Sequence, residues 1–471
     1  MTAGAAVDHE RIERWRSARR VLLIRLDNLG DVLMTTPAIA AVRESLPDAR
    51  LTLLAAPSMA GLAPHLPEVD EIVGFHAPWM KAGATALDAM GSVAESGPDR
   101  GAASRGGHER DLLARLMKDR HDAAIVFTVC TQSVFPAATL CRLAGIPNVA
   151  GHARERAYGL LSDEIPDRDE ICDGMRHEVR RQLDLVAALG MRTRDERLRF
   201  RVLDGDRIAV RRALDAAGLR PGQPFVLLHP GASAPSRRYP AGRFGEAARQ
   251  LRQALAPAGD GLGARRVGGR ASFGGTPPAI VLCGGPGEEG LVREMRDALG
   301  GEALLPTSTS GIGELGALIA EADLLIANNS GPVHLAAAVG TPVVDLYALT
   351  NPQHTPWLVP SRVLFHDVPC RFCQKSVCPE GHHACLTGVM PDQVAEAAIS
   401  LLHPPGRRPA ATASAEPGDP TEPGDPAGPG RSAKATAPAR SAELAKSNES
   451  TKSTESDRCT DLLALSQGVV A

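Results

Sequence analysis

Short apolar runs alternate with longer amphipathic stretches along most of the chain. Val21 to Leu26, Leu51 to Ala56, Glu71 to Phe75 and Ala123 to Thr128 read as strands, since compact runs of apolar and β-branched residues suit a strand buried on both faces. Ala38 to Leu46, Asp111 to Arg120 and Val134 to Ala144 carry helical spacing between or after them. The alternation restarts after Pro221. Phe225 to His229, Ala279 to Cys283, Leu324 to Asn328 and Val343 to Tyr347 read as strands, with helices at Phe244 to Leu255, Glu288 to Leu299 and Val333 to Val339. Strands and helices in turn predict an α/β fold of two Rossmann-like, doubly wound domains facing each other across a cleft. The charged stretch Asp184 to Gly222 ends in Leu-Arg-Pro-Gly-Gln-Pro, and the hinge is expected inside it.

The pattern fades in four places. Residues 1–20 form a basic N-terminal arm. Two insertions, 81–108 and 256–276, are rich in Gly and small or polar residues and interrupt domains spanning 21–205 and 221–402. From residue 404 to 471 the composition turns to Pro, Gly, Ala, Ser, Thr and Glu, with Glu-Pro-Gly-Asp-Pro at Glu416 and again at Glu422. Such a tail buries too little apolar surface to offset its ordering entropy and is expected to be disordered.

Composition narrows the function classes. At 471 residues and roughly 150 per domain, a single small module is excluded. Aromatic residues are only 3%, so Leu, Val, Ile and Ala must fill the cores. Lys and Arg total 52 against 55 Asp and Glu, and this balance excludes a dedicated nucleic-acid binder. No window approaches the about 18 uninterrupted apolar residues of a spanning helix, and Met1 to Arg20 lacks a signal peptide's apolar stretch. A cytoplasmic protein with at most peripheral membrane contact is expected. Five of its nine cysteines are scattered singly, as reduced thiols usually are.

In open α/β sheets ligands bind beyond the carboxyl ends of the strands. The first such loop reads Arg25-Leu-Asp27-Asn-Leu-Gly30-Asp31-Val-Leu-Met-Thr35-Thr36-Pro37. Thr36 and Pro37 suit an N-cap and a first helical position, which leaves Asp27 to Thr35 as a loop presenting Asp31, with Gly30 allowing a tight backbone. Asp31 is then either a base in the cleft or a capping carboxylate. The second loop, His229-Pro-Gly-Ala-Ser-Ala-Pro-Ser-Arg237-Arg238, offers guanidiniums that suit phosphate oxygens or neighbouring carboxylates. The third, Gly284 to Glu289, either holds a ribose hydroxyl through Glu288 or is merely a turn whose first-turn acids the helix dipole favours. In the fourth, Asn328-Asn329-Ser330-Gly331-Pro332-Val333-His334, Ser330 is expected to cap a helix whose N-terminus attracts anions, and Gly331 lets backbone come close.

Together these loops resemble glycosyltransferase family 9, the ADP-heptose:lipopolysaccharide heptosyltransferases of the two-domain GT-B fold. The anchors are Leu29-Gly30-Asp31 through Pro37-Ala, His229-Pro-Gly231 with Arg237-Arg-Tyr-Pro240, and Asn329-Ser-Gly-Pro-Val-His334 with Gly340-Thr-Pro-Val-Val. The resemblance implies an acceptor domain followed by a nucleotide-sugar domain, with Asp31 as catalytic base. Arg237, Ser330, Gly331, His334 and Asn329 would lie at the donor's phosphates, and Gly30 and Thr35 on the acceptor side. It implies an inverting transfer of heptose from ADP-heptose to a lipopolysaccharide core or lipid-linked glycan hydroxyl, with no cofactor required for catalysis. The family usually has Asp where Asn329 stands. The alternatives are a transferase of the same fold using another nucleotide sugar or a protein acceptor, and a nucleotide-sugar binding protein without turnover.

Cys370-x2-Cys373-x4-Cys378-x6-Cys385 is a separate signal. Four thiols at this spacing suit a structural zinc or iron site, or else are four idle thiols. Either way the segment is expected to be independent of the phosphate and base loops.

Overall fold

The computed structural model describes residues 3–80, 107–256, 277–301, 303–305 and 311–402. The two expected insertions, but for their edge residues, and the expected tail lie outside the described residues. Six strands form the first sheet: β1 (Arg20–Arg25), β2 (Arg50–Ala55), β3 (Glu71–Gly74), β4 (Ala123–Val126), β5 (Asn148–Ala153) and β6 (Asp163–Pro166). Their order is β3-β2-β1-β4-β5-β6, with every pairing parallel. Five more form the second: β7 (Phe225–His229), β8 (Ala279–Leu282), β9 (Leu324–Asn328), β10 (Val343–Leu346) and β11 (Ser361–Leu364). These are ordered β11-β10-β9-β7-β8, again all parallel. Both orders are those of doubly wound nucleotide-binding sheets. The order in which strands are added reverses between β1 and β4 in one sheet and between β7 and β9 in the other, so the loops after these strands flank two crevices.

The expected strands are all present, and the central ones are buried along their length. One apolar cluster runs through both lobes, from Val21, Leu23 and Leu51 to Leu227, Leu325 and Val343. Each fully buried Leu, Val or Ile contributes roughly 1.5 to 3 kcal/mol, so the lobes share much of their stabilisation. The helix Glu178–Ala187 packs on Leu29–Ser45 of the first lobe, whereas Asp204–Ala216 packs on Ile312–Glu321 of the second. The stretch 206–220 that the sequence leaves between domains is therefore largely helical, and the chain crosses between lobes over residues 188–203.

Two elements differ from expectation. The basic arm is a helix, Ala3–Arg16, docked on β6. Trp15 is fully buried and donates to Asp163 (3.0 Å), whose carboxylate also takes both Arg14 hydrogen bonds (2.8 Å each). More consequentially, the helix after β1 begins at Leu29 instead of near Pro37, and Pro37 lies inside it. A proline there removes the amide that would bond the Leu33 carbonyl and normally breaks a helix. Here the Thr36 hydroxyl donates to that carbonyl instead (2.6 Å), while accepting from the Arg199 amide (2.9 Å). Thr35 donates to the Asp31 carbonyl (2.8 Å) and is wholly buried. The two threonines let the helix continue through the proline, and that moves Asp31 from a loop to a rigid first turn.

Candidate active site

β1 carries a charged residue at its buried end, and that residue organises the site. Arg25 is fully buried. Its Nη1 donates to Glu178 (2.9 Å), its Nη2 to Asp31 (3.3 Å), and its Nε lies 2.9 Å from Asp27. Burial opposes a charged guanidinium, but Asp27, Glu178 and Asp31 outweigh it and raise the arginine's pKa. Glu178 accepts also from Gln182 (2.7 Å), and Asp27 from Gln132. Asp31 is the most exposed of the three carboxylates, at 15% against 8% and 0%, and is the one turned toward the cleft. Burial, followed by repulsion from Asp27 and Glu178, overcomes attraction by Arg25 and Arg237 and pushes its pKa up to about 7. A carboxyl titrating there is matched to proton transfer near neutrality.

The second lobe meets this first turn with the helix Gly331–Val339. A side chain at Gly30 would lie 2.6 Å from the His334 ring, and one at Gly331 would lie 2.8 Å from Leu29, so both glycines serve close packing between the lobes. Neither has the positive φ of a tight turn. His334 is thus buried against Gly30, and burial together with His354, His177 and Arg237 lowers its pKa well below the usual value. Ser330 occupies the N-cap position, but its hydroxyl donates to the Gly231 and Asn328 carbonyls (3.3 and 3.2 Å) and caps nothing. In that first turn Pro332 has no N–H and the Val333 amide donates to the Ser330 carbonyl (3.1 Å), so the Gly331 amide is the one left without a side-chain cap, beside the cavity that Ser330 and Gly331 line.

That cavity, of about 280 Å3, runs between the lobes from Asn28, Leu29 and Gly30 to His229, Gly231, Ser330 and the Gly284 to Glu288 loop. Glu288 accepts from the Gly285 amide (2.7 Å), lies 3.8 Å from His229, and occupies the space a side chain at Gly231 would fill. Burial lowers the pKa of His229 despite Glu288. A pocket with a carboxylate at one end, the Gly331 amide at its side, and Arg237 and Asp31 beyond suits a nucleoside diphosphate linked to a sugar.

Of the residues expected at the site, Gly30, Ser330, Gly331 and Glu288 line the cavity, while Arg237 lies near enough to Asp31 and His334 to act on both. Thr35 does not reach the acceptor side, because it faces into its own helix. Asn329 turns away from the phosphates: its amide donates to Asp345 (2.9 Å) and to the His354 carbonyl (2.8 Å). Arg25, Glu178 and His354 were missed. A lone arginine ending an apolar strand was the available signal for Arg25, since such a charge must find partners when buried. Glu178 and His354 arrive from distant segments and carried no local signal.

The cysteine segment is not independent of the site. Ser236, beside Arg237, donates through its amide to the Ser376 carbonyl (3.1 Å) and through its hydroxyl to that of Lys375 (2.7 Å). On either side of Cys373, Phe372 and Gln374 donate to the Leu349 and Thr350 carbonyls. Cys370, Cys373, Cys378 and Cys385 are all partly exposed. Among the described residues no group of three or more His, Cys, Asp or Glu side chains is drawn together as metal ligands.

The family model for glycosyltransferase family 9 (heptosyltransferase) matches residues 110–255 and 276–384. Lipopolysaccharide heptosyltransferase 2 of Escherichia coli K12 is 25% identical over 398 residues, covering 81% of this chain and 98% of that protein. Lipooligosaccharide heptosyltransferase 2 of Campylobacter jejuni is 38% identical over 86 residues, where the match spans only 27% of the relative's length and 18% of this chain. Among solved structures, a glycosyl transferase family 9 protein from Veillonella parvula superposes with a TM-score of 0.60 at 21% identity, covering 82% of this chain and 97% of that one, which shows the shared fold.

A base at Asp31 would act only as the carboxylate, and kcat/KM would then rise tenfold per pH unit below about 7 and level off above it. A rate that stays flat down to pH 5 would assign Asp31 an ordinary carboxylate and no part in the proton transfer.

Proposed function

The chain belongs to glycosyltransferase family 9 and is a glycosyltransferase; on that footing we propose that it moves a heptose from ADP-heptose to a hydroxyl of a lipopolysaccharide core acceptor, with inversion at the anomeric carbon. The observation that carries this reading is the buried carboxyl of Asp31, with its pKa raised to about 7, next in the chain to Gly30, which lines a pocket that suits a nucleoside diphosphate. The acceptor hydroxyl gives its proton to Asp31 as its oxygen bonds to the anomeric carbon, and the bond from that carbon to the diphosphate breaks on the opposite face. Charge gathers on the leaving phosphate. Arg237 and the Gly331 amide are the donors for it, and such preorganised donors contribute roughly 3 kcal/mol each at comparable sites. Glu288 is the partner for the ribose hydroxyls.

No described helix is long and apolar enough to cross a membrane. We place the reaction at the cytoplasmic face, where the chain would meet a lipid-anchored acceptor peripherally. The cysteine segment is read as a structural zinc or iron loop, supported by its spacing and by φ values of 61°, 53° and 50° at Phe372, Gln374 and His383, a left-handed backbone that a bound ion would repay. Elemental analysis of the purified chain should find about one such metal; metal-free protein returns the loop to plain thiols.

Two substitutions test the assignment. Asp31→Asn should lower turnover at least about a hundredfold while leaving ADP affinity intact, and near-normal transfer would remove Asp31 from the role. Arg237→Ala should weaken ADP binding by about 1.5 to 3 kcal/mol, the range for a charged hydrogen bond. Unchanged ADP affinity would take Arg237 off the phosphates.

A further inference from the structure

Residues 351–357 leave the second lobe and fasten to the first. The Gln353 carbonyl accepts from the Glu178 amide (3.1 Å), and its side chain donates to the Arg176 carbonyl (2.9 Å). His177 pairs through Nε2 with the Thr355 carbonyl (2.9 Å), and Trp357 donates to that of Glu196 (2.8 Å). His354 sits in the middle of this strap. Its own carbonyl is held by Asn329, a bond that only an amide at position 329 can donate and a carboxylate could not, and its amide lies 3.4 Å from the Tyr347 hydroxyl. Backbone on both sides is thus fixed by polar contacts.

That imidazole is 8% exposed, and its Nε2 is buried without a hydrogen-bond partner, 3.9 Å from Asp31 Oδ1. The gap is too long for a hydrogen bond between the two. Burial, with Arg237, Arg25 and His177 around it, lowers the pKa of His354 well below the usual value and keeps the ring neutral, so Nε2 is free to donate or accept according to its tautomer. An orphaned polar atom in such a place is costly unless a ligand completes it.

Resting on the donor assignment above, we propose that His354 is a sugar-binding residue: its Nε2 takes one hydrogen bond from or to a hydroxyl of the donor's sugar, beside the anomeric carbon that Asp31 and Arg237 bracket. The sugar unit, and not the nucleotide, is what it reads. The cavity that suits the nucleoside diphosphate is lined by Gly231, Ser330 and Glu288, and His354 is absent from its walls.

The test compares calorimetric binding of ADP and of ADP-heptose, without acceptor, to the full-length chain and to His354→Ala and His354→Gln. His354→Ala should leave ADP affinity within about twofold and weaken ADP-heptose about tenfold, the effect of one buried hydrogen bond left unmade. His354→Gln, whose amide reaches a similar point, should recover most of that loss. An equal fall for both probes would make His354 a packing residue and overturn the proposal. So would unchanged binding of both with a reduced transfer rate, which would mean that His354 acts through Asp31. A wild-type chain that binds neither probe would remove the donor reading, and the proposal with it.

Discussion

A buried guanidinium that must be neutralised is the constraint from which the rest of this site follows. Arg25 ends a strand that is otherwise apolar, and removing a charge from water costs several kcal/mol unless partners surround it. Three carboxylates do so from three places: Asp27 in the loop after β1, Asp31 on the first turn of the next helix, and Glu178 from a helix about 150 residues further on. The arginine's planar fork fixes their directions as a lysine's point charge would not. With Glu178 held by Gln182 and Asp27 by Gln132, the unevenly shared charge leaves Asp31 the least stabilised carboxylate, raised toward neutrality and turned to the cleft.

The lobe interface extends the same arrangement. Helix Leu29–Ser45 presents its first turn to the first turn of Gly331–Val339, and Gly30 and Gly331 bring them close enough for His334 and Leu29 to interlock. The strap at 351–357 then ties the second lobe to the very helix that bears Glu178. Asp31, Arg237 and the imidazole of His354 are therefore set by one connected set of contacts. The cysteine segment belongs to it too, because its backbone accepts from Ser236 next to Arg237 and donates to the 349–350 turn that precedes the strap.

Much of the fold was legible because parallel sheets buried on both faces write themselves as short apolar runs, and those of β1, β4, β7 and β9 stood at the expected positions. The helix after β1 was misplaced by eight or so residues for a local reason: Thr36-Pro37 reads as a start, and only the tertiary hydrogen bond from the Arg199 amide shows why the pair sits in mid-helix. Site residues inside motifs, such as Asp31 and Arg237, could be named from the sequence. Their directions could not, and so Thr35 and Asn329 were placed on the ligand when their side chains face protein. Arg25, Glu178 and His354 depend on contacts across some 150 to 330 positions, which no local pattern records.

The central claim is that the fork of Arg25 sets the geometry and ionisation of Asp31, and the most direct measurement is the transfer rate of the Arg25→Lys chain alongside its ADP affinity. A lysine keeps the charge but cannot bond three carboxylates in fixed directions. Turnover should fall at least about tenfold while ADP binding stays near that of the parent chain, because the nucleotide pocket does not include Arg25. Full turnover in the lysine variant would contradict the claim and leave Arg25 as nothing more than a buried counter-charge.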